Sequence, residues 1–318
     1  MTNPNISQLI TTTLESQVPK LVDNVLNNHP LLMKMKEKGN VKKLSGGNAI
    51  RESLAYASNT TVQSQGEYDT FDTTPQDVLT SADFDFKIIT GTSTMTDLEL
   101  KQNAGKERII DLMKGKRDVL MSSLKNELGS QIYGDGTGNG SKDIGGLQLL
   151  IADDPTTGTV GGINRANYSF WRNQLWDFSV ESVTASATTI QNAMNTLYIR
   201  CQVQAGELPD LIAADATYFS FYEDSLQTIQ RITDPKIGQL GFATIKYKNA
   251  DVFYDPECPA SHMYFINSNH VFLKYLGKDL FEVMETTRPV NQGVYVTPVV
   301  FTGNMTTTNS RVQGVMIA

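Results

Sequence analysis

The longest regular pattern of apolar and polar positions lies between Thr96 and Gly134, and it predicts one long amphipathic helix. Apolar side chains recur there at intervals of three, four and seven residues, which places them on one face of a helix. They are Ile109, Leu112, Met113, Leu120 and Leu124. Thr96 and Glu99 have capping-box spacing, and Gly134 stands where a left-handed residue would end the helix. The part after Asn103, about 30 residues at 1.5 Å each, would measure roughly 45 Å. We call this predicted helix the spine.

The first 47 residues have the pattern of an arm that extends from the body of a subunit. Apolar residues at helical spacing run from Ile6 to Leu26, Pro19 is expected to kink them, and His29-Pro30 ends the pattern. We interpret the basic stretch that follows as a solvated helix end. Its lysines are Lys34, Lys36, Lys38, Lys42 and Lys43. Because the arm has little of its own domain beside it, we expect it to pack on a neighbouring subunit.

Residues 48–95 predict an extended hairpin. The stretches Ile50–Tyr56 and Phe84–Thr94 have the residue types of strands. The segment between them, Ala57–Ser81, is polar, is expected to have no apolar anchors, and is too long for a tight turn. We therefore predict a loop that reaches out of the subunit.

The rest of the chain predicts a second helix and then mainly strands. Ser186–Arg200 has helical spacing, Pro209–Ala214 resembles a buried strand, and Asp215 would cap a helix that runs to about Arg231. Further strands are predicted at Ala243–Lys248, Asp251–Tyr254, Met263–Asn267, Val271–Leu276, Val294–Thr302 and Val312–Ile317. Helices that come mostly first and strands that come mostly later indicate an α+β fold.

Composition and net charge limit the kinds of molecule and the cellular compartment that suit the protein. The 318 residues include 34 acidic and 27 basic side chains, a net charge of −7, which argues against tight binding to a nucleic acid backbone. Cys201 and Cys258 lie far apart without Cys-x-x-Cys spacing, which argues against a disulfide scaffold or a zinc knuckle and favours a reducing cytoplasm. We predict no membrane contact, because no stretch of about 18 residues is continuously apolar.

The sequence contains no strong motif for ligand binding or catalysis. Gly134–Lys142 is glycine-rich, but it lacks the Gly-Lys-Ser/Thr of a phosphate-binding loop and follows a helix, unlike a dinucleotide fingerprint. Read as a calcium loop from Asp135, it has Gly146 where the bidentate glutamate belongs. No metal-ligand spacing links the histidines, which are His29, His262 and His270. We therefore predict that the protein is not an enzyme and has no catalytic residue, cofactor or metal.

The order of the elements, combined with short local motifs, resembles the major capsid proteins of tailed double-stranded DNA phages, which have the Hong Kong 97 fold. The motifs are Thr74-Pro75-Gln76-Asp77, Leu98-Glu99-Leu100-Lys101-Gln102-Asn103-Ala104-Gly105, Asp135-Gly136-Thr137-Gly138-Asn139, Ile144-Gly145-Gly146-Leu147, Gly161-Gly162-Ile163, Phe170-Trp171-Arg172-Asn173, Asn192-Ala193-Met194, Asn249-Ala250-Asp251-Val252 and His262-Met263-Tyr264-Phe265. Their order and spacing, from about Leu54 onward, carry the resemblance.

The resemblance implies an arrangement of domains along the chain. The parts would be an N-arm (1–47), an extended E-loop (48–95), a peripheral or P-domain with the spine (96–205), an axial or A-domain (206–274), return strands of the P-domain (275–301) and a last strand of the A-domain (302–318).

The resemblance also implies a function as the major head protein of a virion. Copies would assemble, in the host bacterial cytoplasm, into hexamers and pentamers of an icosahedral shell that encloses DNA without sequence-specific binding. Family members with built-in scaffolding carry a long charged segment before the N-arm. This sequence shows none, so we expect a separate scaffolding protein. A portal protein is a further expected partner, and a decoration protein is a candidate. Two alternatives stay open: an encapsulin-like shell that packages protein cargo, and a soluble α+β enzyme.

The charge pattern predicts a contact between subunits. From Gln63 to Phe86 every charged residue is acidic, whereas Lys101–Lys125 carries seven bases and three acids. We predict that the E-loop of one subunit lies across the spine of its neighbour, and that charge sets the register. The candidate contact residues are Glu67, Asp69, Asp72 and Asp77 on the loop and Lys106, Lys114, Lys116 and Arg117 on the spine.

Overall fold

The computed structural model describes residues 29–102, 106–202, 207–226 and 244–318. The described strands are β1 (Val41–Leu44), β2 (Ile50–Ala55), β3 (Leu79–Phe84), β4 (Lys87–Thr96), β5 (Thr159–Val160), β6 (Ile163–Asn164), β7 (Gln174–Asp177), β8 (Leu211–Ala214), β9 (Thr244–Tyr247), β10 (Ala250–Tyr254), β11 (His262–Ile266), β12 (Val271–Leu276), β13 (Glu282–Val283), β14 (Val294–Thr307) and β15 (Gly314–Ile317). The α-helices are α1 (Pro30–Glu37), α2 (Asp97–Gln102), α3 (Lys106–Tyr133), α4 (Gly138–Ser141), α5 (Leu147–Leu150), α6 (Ile190–Cys201) and α7 (Ala216–Ser225). The arm pattern from Ile6 to Leu26 and the helix end expected at Arg231 lie outside the described residues.

A five-stranded sheet forms the first of two layers. Its order is β1-β12-β14-β13, and β4 pairs antiparallel with β14 over ten residues, from Lys87 opposite Gly303 to Thr96 opposite Val294. The spine helix α3 packs on β4: a Cβ added at Gly91 would lie 2.6 Å from the Leu120 side chain. A larger residue at this position would therefore force the Leu120 side chain to move.

A six-stranded sheet, in the order β7-β15-β11-β8-β10-β9, forms the second layer. Its side chains alternate between two apolar clusters, as the period-two geometry of a strand requires. Leu211 and Ala213 of β8 face the cluster that contains α1 and the spine. Ile212 and Ala214 face the cluster that contains α6 and α7. The sheet is thus buried on both faces, which explains its nearly continuous apolar strands.

The predicted capping box at the start of the spine is confirmed. The backbone N–H of Thr96 donates to the Glu99 carboxylate at 2.9 Å, and the N–H of Glu99 donates to the Thr96 hydroxyl at 3.2 Å. The helical segments on either side of the undescribed residues 103–105 are α2 and α3. The prediction for Gly134 is wrong, because the left-handed residue beyond the helix is Gly136, with φ +76°.

The sheets group three elements differently from the predicted domains, and the domain boundaries themselves stay a prediction. The division expected after residue 301 falls inside β14, whose pairing with β12 continues to Thr307 opposite Val271. The second helix, α6, was assigned with the spine to the predicted P-domain, and it packs on the six-stranded sheet through residues such as Met194 and Leu197. The strand β12 likewise lies in the five-stranded sheet rather than with β8 and β10. Local patterns locate these elements but carry no information on the sheet they join.

The interpretation of the basic stretch as a solvated helix end is wrong for its first lysine. Helix α1 is buried from Pro30 to Met35, and Lys34 is only 4% exposed. In the described parts of the chain, no helix combines the length and apolar character needed to cross a bilayer.

Candidate assembly surface

The hairpin β2–β3 forms the root of the predicted E-loop. Its strands pair antiparallel from Ile50 opposite Phe84 to Ala55 opposite Leu79. Alternate residues of β2 face inward, so Ile50, Glu52 and Leu54 are buried. Because the apolar members of this set join the core beside the spine, the root of the hairpin is fixed to the body of the subunit.

A buried ion pair adds to this anchor. Glu52 is 7% exposed; its carboxylate lies 2.5 Å from the ammonium of Lys274 on β12 and accepts a hydrogen bond of 2.7 Å from the Thr306 hydroxyl on β14. Sequence reasoning missed Glu52, although its position between Ile50 and Leu54 in an alternating strand places it on the inward face.

Beyond the root, the tip of the E-loop is organised by local turns. The side chain of Asp69 accepts from the backbone of Gly66 at 2.6 Å. The carboxylate of Asp72 accepts from the backbone and hydroxyl of Thr74 at 2.9 and 2.6 Å. These hydrogen bonds, that of the hydroxyl first, lower the pKa of Asp72. Asp69 and Asp72 are therefore oriented by the loop itself and exposed to solvent.

The tip also exposes apolar side chains, contrary to the expectation that this segment has no apolar anchors. Tyr68 is 93% exposed and Phe71 is 83% exposed. Val62 and Leu79 are exposed on the same loop. Two aromatic rings in water on one loop are unusual for a surface that stays solvated, and they are typical of a surface that another molecule covers.

An open cleft of about 360 Å³ lies beside the root of the loop. Its lining includes Asp77, Leu79 and three rings, Tyr56, Tyr168 and Phe170. The rings of Tyr56 and Phe170 lie 5.6 Å apart between centroids, and those of Tyr168 and Phe170 lie 5.9 Å apart. The cleft combines an apolar floor with a carboxylate, as small-molecule and side-chain pockets commonly do.

The four predicted loop acids are all exposed. Glu67, Asp69 and Asp72 lie on the tip, and Asp77 lies nearer the root, beside the cleft. Asp69 and Asp72 bond within the loop rather than to the spine of the same chain. The predicted contact with a neighbouring spine stays a prediction.

The structure separates the four predicted spine bases into three groups. The Lys116 ammonium is paired within its own chain, at 2.8 Å from the Glu99 carboxylate and 2.9 Å from the Thr94 carbonyl oxygen. The hydrogen bond from Lys116, followed by that from Thr96, lowers the pKa of Glu99. Arg117 is only 6% exposed. The side chains of Lys106 and Lys114 lie outside the described part of α3.

Two of the three histidines, His262 and His270, have acidic structural partners. The His262 ring lies 3.2 Å from Asp153; burial disfavours the charged ring, but the bonds to Asp153 and to the Ala260 carbonyl outweigh burial and raise the pKa of His262. His270 lies 2.9 Å from Glu207. Within the described ranges, no three acidic, histidine or cysteine side chains form a group suited to a metal ion.

Solved structures of shell proteins resemble the chain over most of its length. The capsid protein of cyanophage A-1(L) is 12% identical, with 88% of this chain and 90% of that chain covered and a TM-score of 0.62. The holo-SrpI encapsulin of Synechococcus elongatus PCC 7942 is 9% identical, with 89% and 86% covered and a TM-score of 0.57. The capsid protein of Myoviridae phage XM1 is 10% identical, with 89% and 90% covered and a TM-score of 0.55.

No protein-family profile and no curated protein sequence matches the chain. The likeness to solved structures therefore defines the fold. The chain has the predicted α+β fold of the Hong Kong 97 type, which tailed-phage capsid proteins and encapsulins share.

Proposed function

We propose that the protein is the major capsid protein of a tailed phage and assembles into a closed icosahedral shell of hexamers and pentamers. The observation that carries the proposal is the likeness to shell subunits over 88–89% of the chain. The anchored hairpin with an exposed tip in this chain supports it. The role is structural rather than catalytic.

The tip of the E-loop supports association with other copies. A single chain leaves Tyr68 and Phe71 in water, whereas a neighbouring subunit would cover them. Because the root and the tip are different parts of one chain, a contact between a tip and the body of the next copy is heterologous. Heterologous contacts close into rings when the rotation between copies allows it.

Charge supports the orientation of this contact. The four loop acids are exposed, and hydrogen bonds within the loop orient Asp69 and Asp72. We propose that they face the basic part of the neighbour's spine. Exposed pairs of this kind contribute only about 0.2–1 kcal/mol each, so they steer the encounter and penalise a shifted register, while apolar burial supplies most of the affinity. Because Arg117 is buried, its guanidinium would not contact the loop acids directly and would act on them at most through long-range electrostatic attraction.

Further partners follow from this role. We propose a separate scaffolding protein, a portal protein and packaged DNA, with a decoration protein as a candidate and assembly in the host cytoplasm. The net charge of −7 suits a wall that holds DNA without gripping it, since tight backbone binding would obstruct packaging and release.

A second candidate function is a cellular shell that packages protein cargo. The specific observation in its favour is the likeness to the SrpI encapsulin, whose TM-score of 0.57 lies close to the value of 0.62 for the cyanophage capsid. The two functions predict the same subunit fold and different contents of the shell.

Electron microscopy of the purified protein tests the shell itself. The expected result is closed particles of uniform diameter. A monodisperse monomer at high concentration, with candidate scaffolding protein supplied, would overturn the proposal. Nuclease-protected DNA in particles from the natural source supports the phage function. A defined enzyme inside the particles, without DNA, supports the encapsulin function.

A charge reversal tests the proposed register. Lys114→Glu changes a spine base without removing the pair between Lys116 and Glu99. We expect it to slow or misdirect assembly, and we expect Asp69→Lys with Asp72→Lys to restore part of the rate. Lys43→Glu, on β1 outside the spine, is the matched control. Normal assembly of Lys114→Glu with unchanged salt dependence would refute the electrostatic register.

A further inference from the structure

Helix α1 occupies an unusual place for the root of a terminal arm. It lies between the two sheets, and its apolar side chains Leu31, Leu32 and Met35 belong to the same core as the spine and the inner face of the six-stranded sheet. Directly after it, β1 pairs in parallel with β12 at the edge of the five-stranded sheet. One short segment therefore contacts both layers of the subunit.

In addition to this apolar packing, α1 makes polar contacts with residues in or next to the six-stranded sheet. The ammonium of Lys34 lies 2.9 Å from the Asp251 carboxylate on β10, and both side chains are largely buried. The Lys38 ammonium lies 3.1 Å from Asp210, just before β8. At the start of the helix, the backbone N–H of Leu31 lies 3.4 Å from the carboxylate of Asp255. Three acids in or next to strands of the six-stranded sheet, Asp251, Asp210 and Asp255, thus contact α1.

The same acids connect α1 to the rest of the body. Asp255 also accepts a hydrogen bond of 2.9 Å from the Tyr133 hydroxyl at the end of the spine. Asp210 accepts from the backbone and the hydroxyl of Ser268 at 2.7 and 2.5 Å, within the connection that leads from β11 to β12. The helix therefore sits at the junction where the spine and both sheets meet.

We infer that α1 sets the orientation of the six-stranded sheet relative to the five-stranded sheet, and we call α1 with β1 the clasp. The Lys34–Asp251 ion pair is the contact that keeps α1 in place. The argument rests on the directional contacts that α1 adds to its apolar packing. The helix shares one apolar cluster with the spine and the six-stranded sheet, and two ion pairs and one hydrogen bond fix its position against that sheet. Such contacts tolerate little displacement, so the pair specifies one orientation where apolar packing alone would allow sliding.

The edge position of β1 makes the clasp separable from the two sheets. β1 contributes four residues to the end of its sheet, so opening of α1 and β1 leaves the other strands of both sheets paired. Opening of a small edge unit below the global unfolding free energy is a common property of folded proteins. The inference concerns the isolated subunit and does not depend on shell formation.

Native-state hydrogen exchange on the full chain tests the clasp. Lys34→Met keeps the length and apolar stem of the side chain and removes its charge. We expect the amides of α1 and β1 to exchange about tenfold faster or more, while the amides of β8 and β10 keep their rates. Asp251→Asn removes the same pair from the other side, together with the pair between Lys246 of β9 and Asp251, and should also accelerate exchange of α1 and β1, which keeps the test available if one variant fails to fold. Lys43→Met, an exposed lysine of β1, is the control and should leave α1 unchanged.

A distance measurement tests the consequence for orientation. Spin labels at Ile199→Cys on α6 and Val119→Cys on the spine report on the two layers, since both positions are exposed and the native cysteines are buried. If the clasp sets the orientation, the distance between the two labels should have a broader distribution in Lys34→Met than in the parent. Three results would each overturn it: unchanged exchange of α1, equal acceleration of all amides, or an unchanged distance distribution despite faster exchange of α1.

Discussion

The aromatic residues at the E-loop tip give the sharpest test of the proposed function. Replacing Tyr68 and Phe71 with serine removes two rings that one subunit leaves 93% and 83% exposed. Substitutions at such exposed positions change the folding free energy by about 0.5 kcal/mol or less. We therefore expect the dispersed variant to unfold at the denaturant concentration of the parent.

The effect on assembly should be far larger. An aromatic side chain buries roughly 150–250 Å², which at about 25 cal/mol per Å² gives an upper bound of roughly 4–6 kcal/mol per ring. Side-chain ordering and imperfect burial reduce this, and interface hot spots commonly cost about 2–4 kcal/mol on truncation. Because each subunit contributes one tip, each serine substitution should raise the critical concentration for assembly about 30- to 700-fold.

The assay is sedimentation of assembly mixtures across a concentration series at fixed salt, with any required scaffolding protein held constant. Tyr68→Phe keeps the ring and should assemble nearly as the parent does, which separates loss of the ring from loss of the hydroxyl. If the double serine variant assembled at the parental critical concentration, the tip would not be a buried contact and the reasoning would be wrong.

Three further predictions concern the subunit. Glu52→Gln should lower the unfolding free energy by about 3 kcal/mol in denaturant titrations, because it leaves the ammonium of Lys274 largely buried without its counter-charge, and an unchanged midpoint would contradict the anchor. Thr96→Ala should cost about 1 kcal/mol by the same measurement, because it removes the capping hydroxyl of the spine; Thr96→Ser, which retains the hydroxyl, is the control. Burial opposes ionisation of Asp251, but hydrogen bonds from Lys246 and Lys34 outweigh it and lower its pKa. The stability that this group contributes is therefore present above its unfolded pKa of about 3.9 and lost as the pH falls through the lower folded value. The parent should accordingly lose more stability than Asp251→Asn between about pH 5 and pH 2, and equal losses would contradict this account.

Much of the secondary structure could be predicted from the sequence, because its causes are local. The start of the spine depends on two side chains three residues apart, Thr96 and Glu99, and that spacing is visible in the chain. The hairpin root follows from period-two alternation in Ile50–Ala55. The acidic character of the loop is also a property of the sequence. The overall family likeness followed from the order of such local elements.

Contacts between distant residues decided the remainder. Lys34 is charged and follows an arm pattern, so a solvated position was the natural expectation. Its burial is compensated mainly by Asp251, 217 residues further along the chain, whose carboxylate lies 2.9 Å from its ammonium. The inward Glu52 depends in the same way on Lys274 and Thr306.

The C-terminal end of the spine is another place where local sequence spacing did not predict the structure, here because of contacts between residues close in the chain. Gly134 has the right residue type for a left-handed cap, but the following loop folds back onto the helix, where a Cβ at Gly146 would lie 2.3 Å from the Ile132 carbonyl oxygen. The turn is consequently made at Gly136. Local spacing thus determined which segments are helices, strands and loops in this protein. The tertiary structure decided which sheet each element joins and which charges are buried, because the free energy of those choices depends on partners that local spacing does not specify.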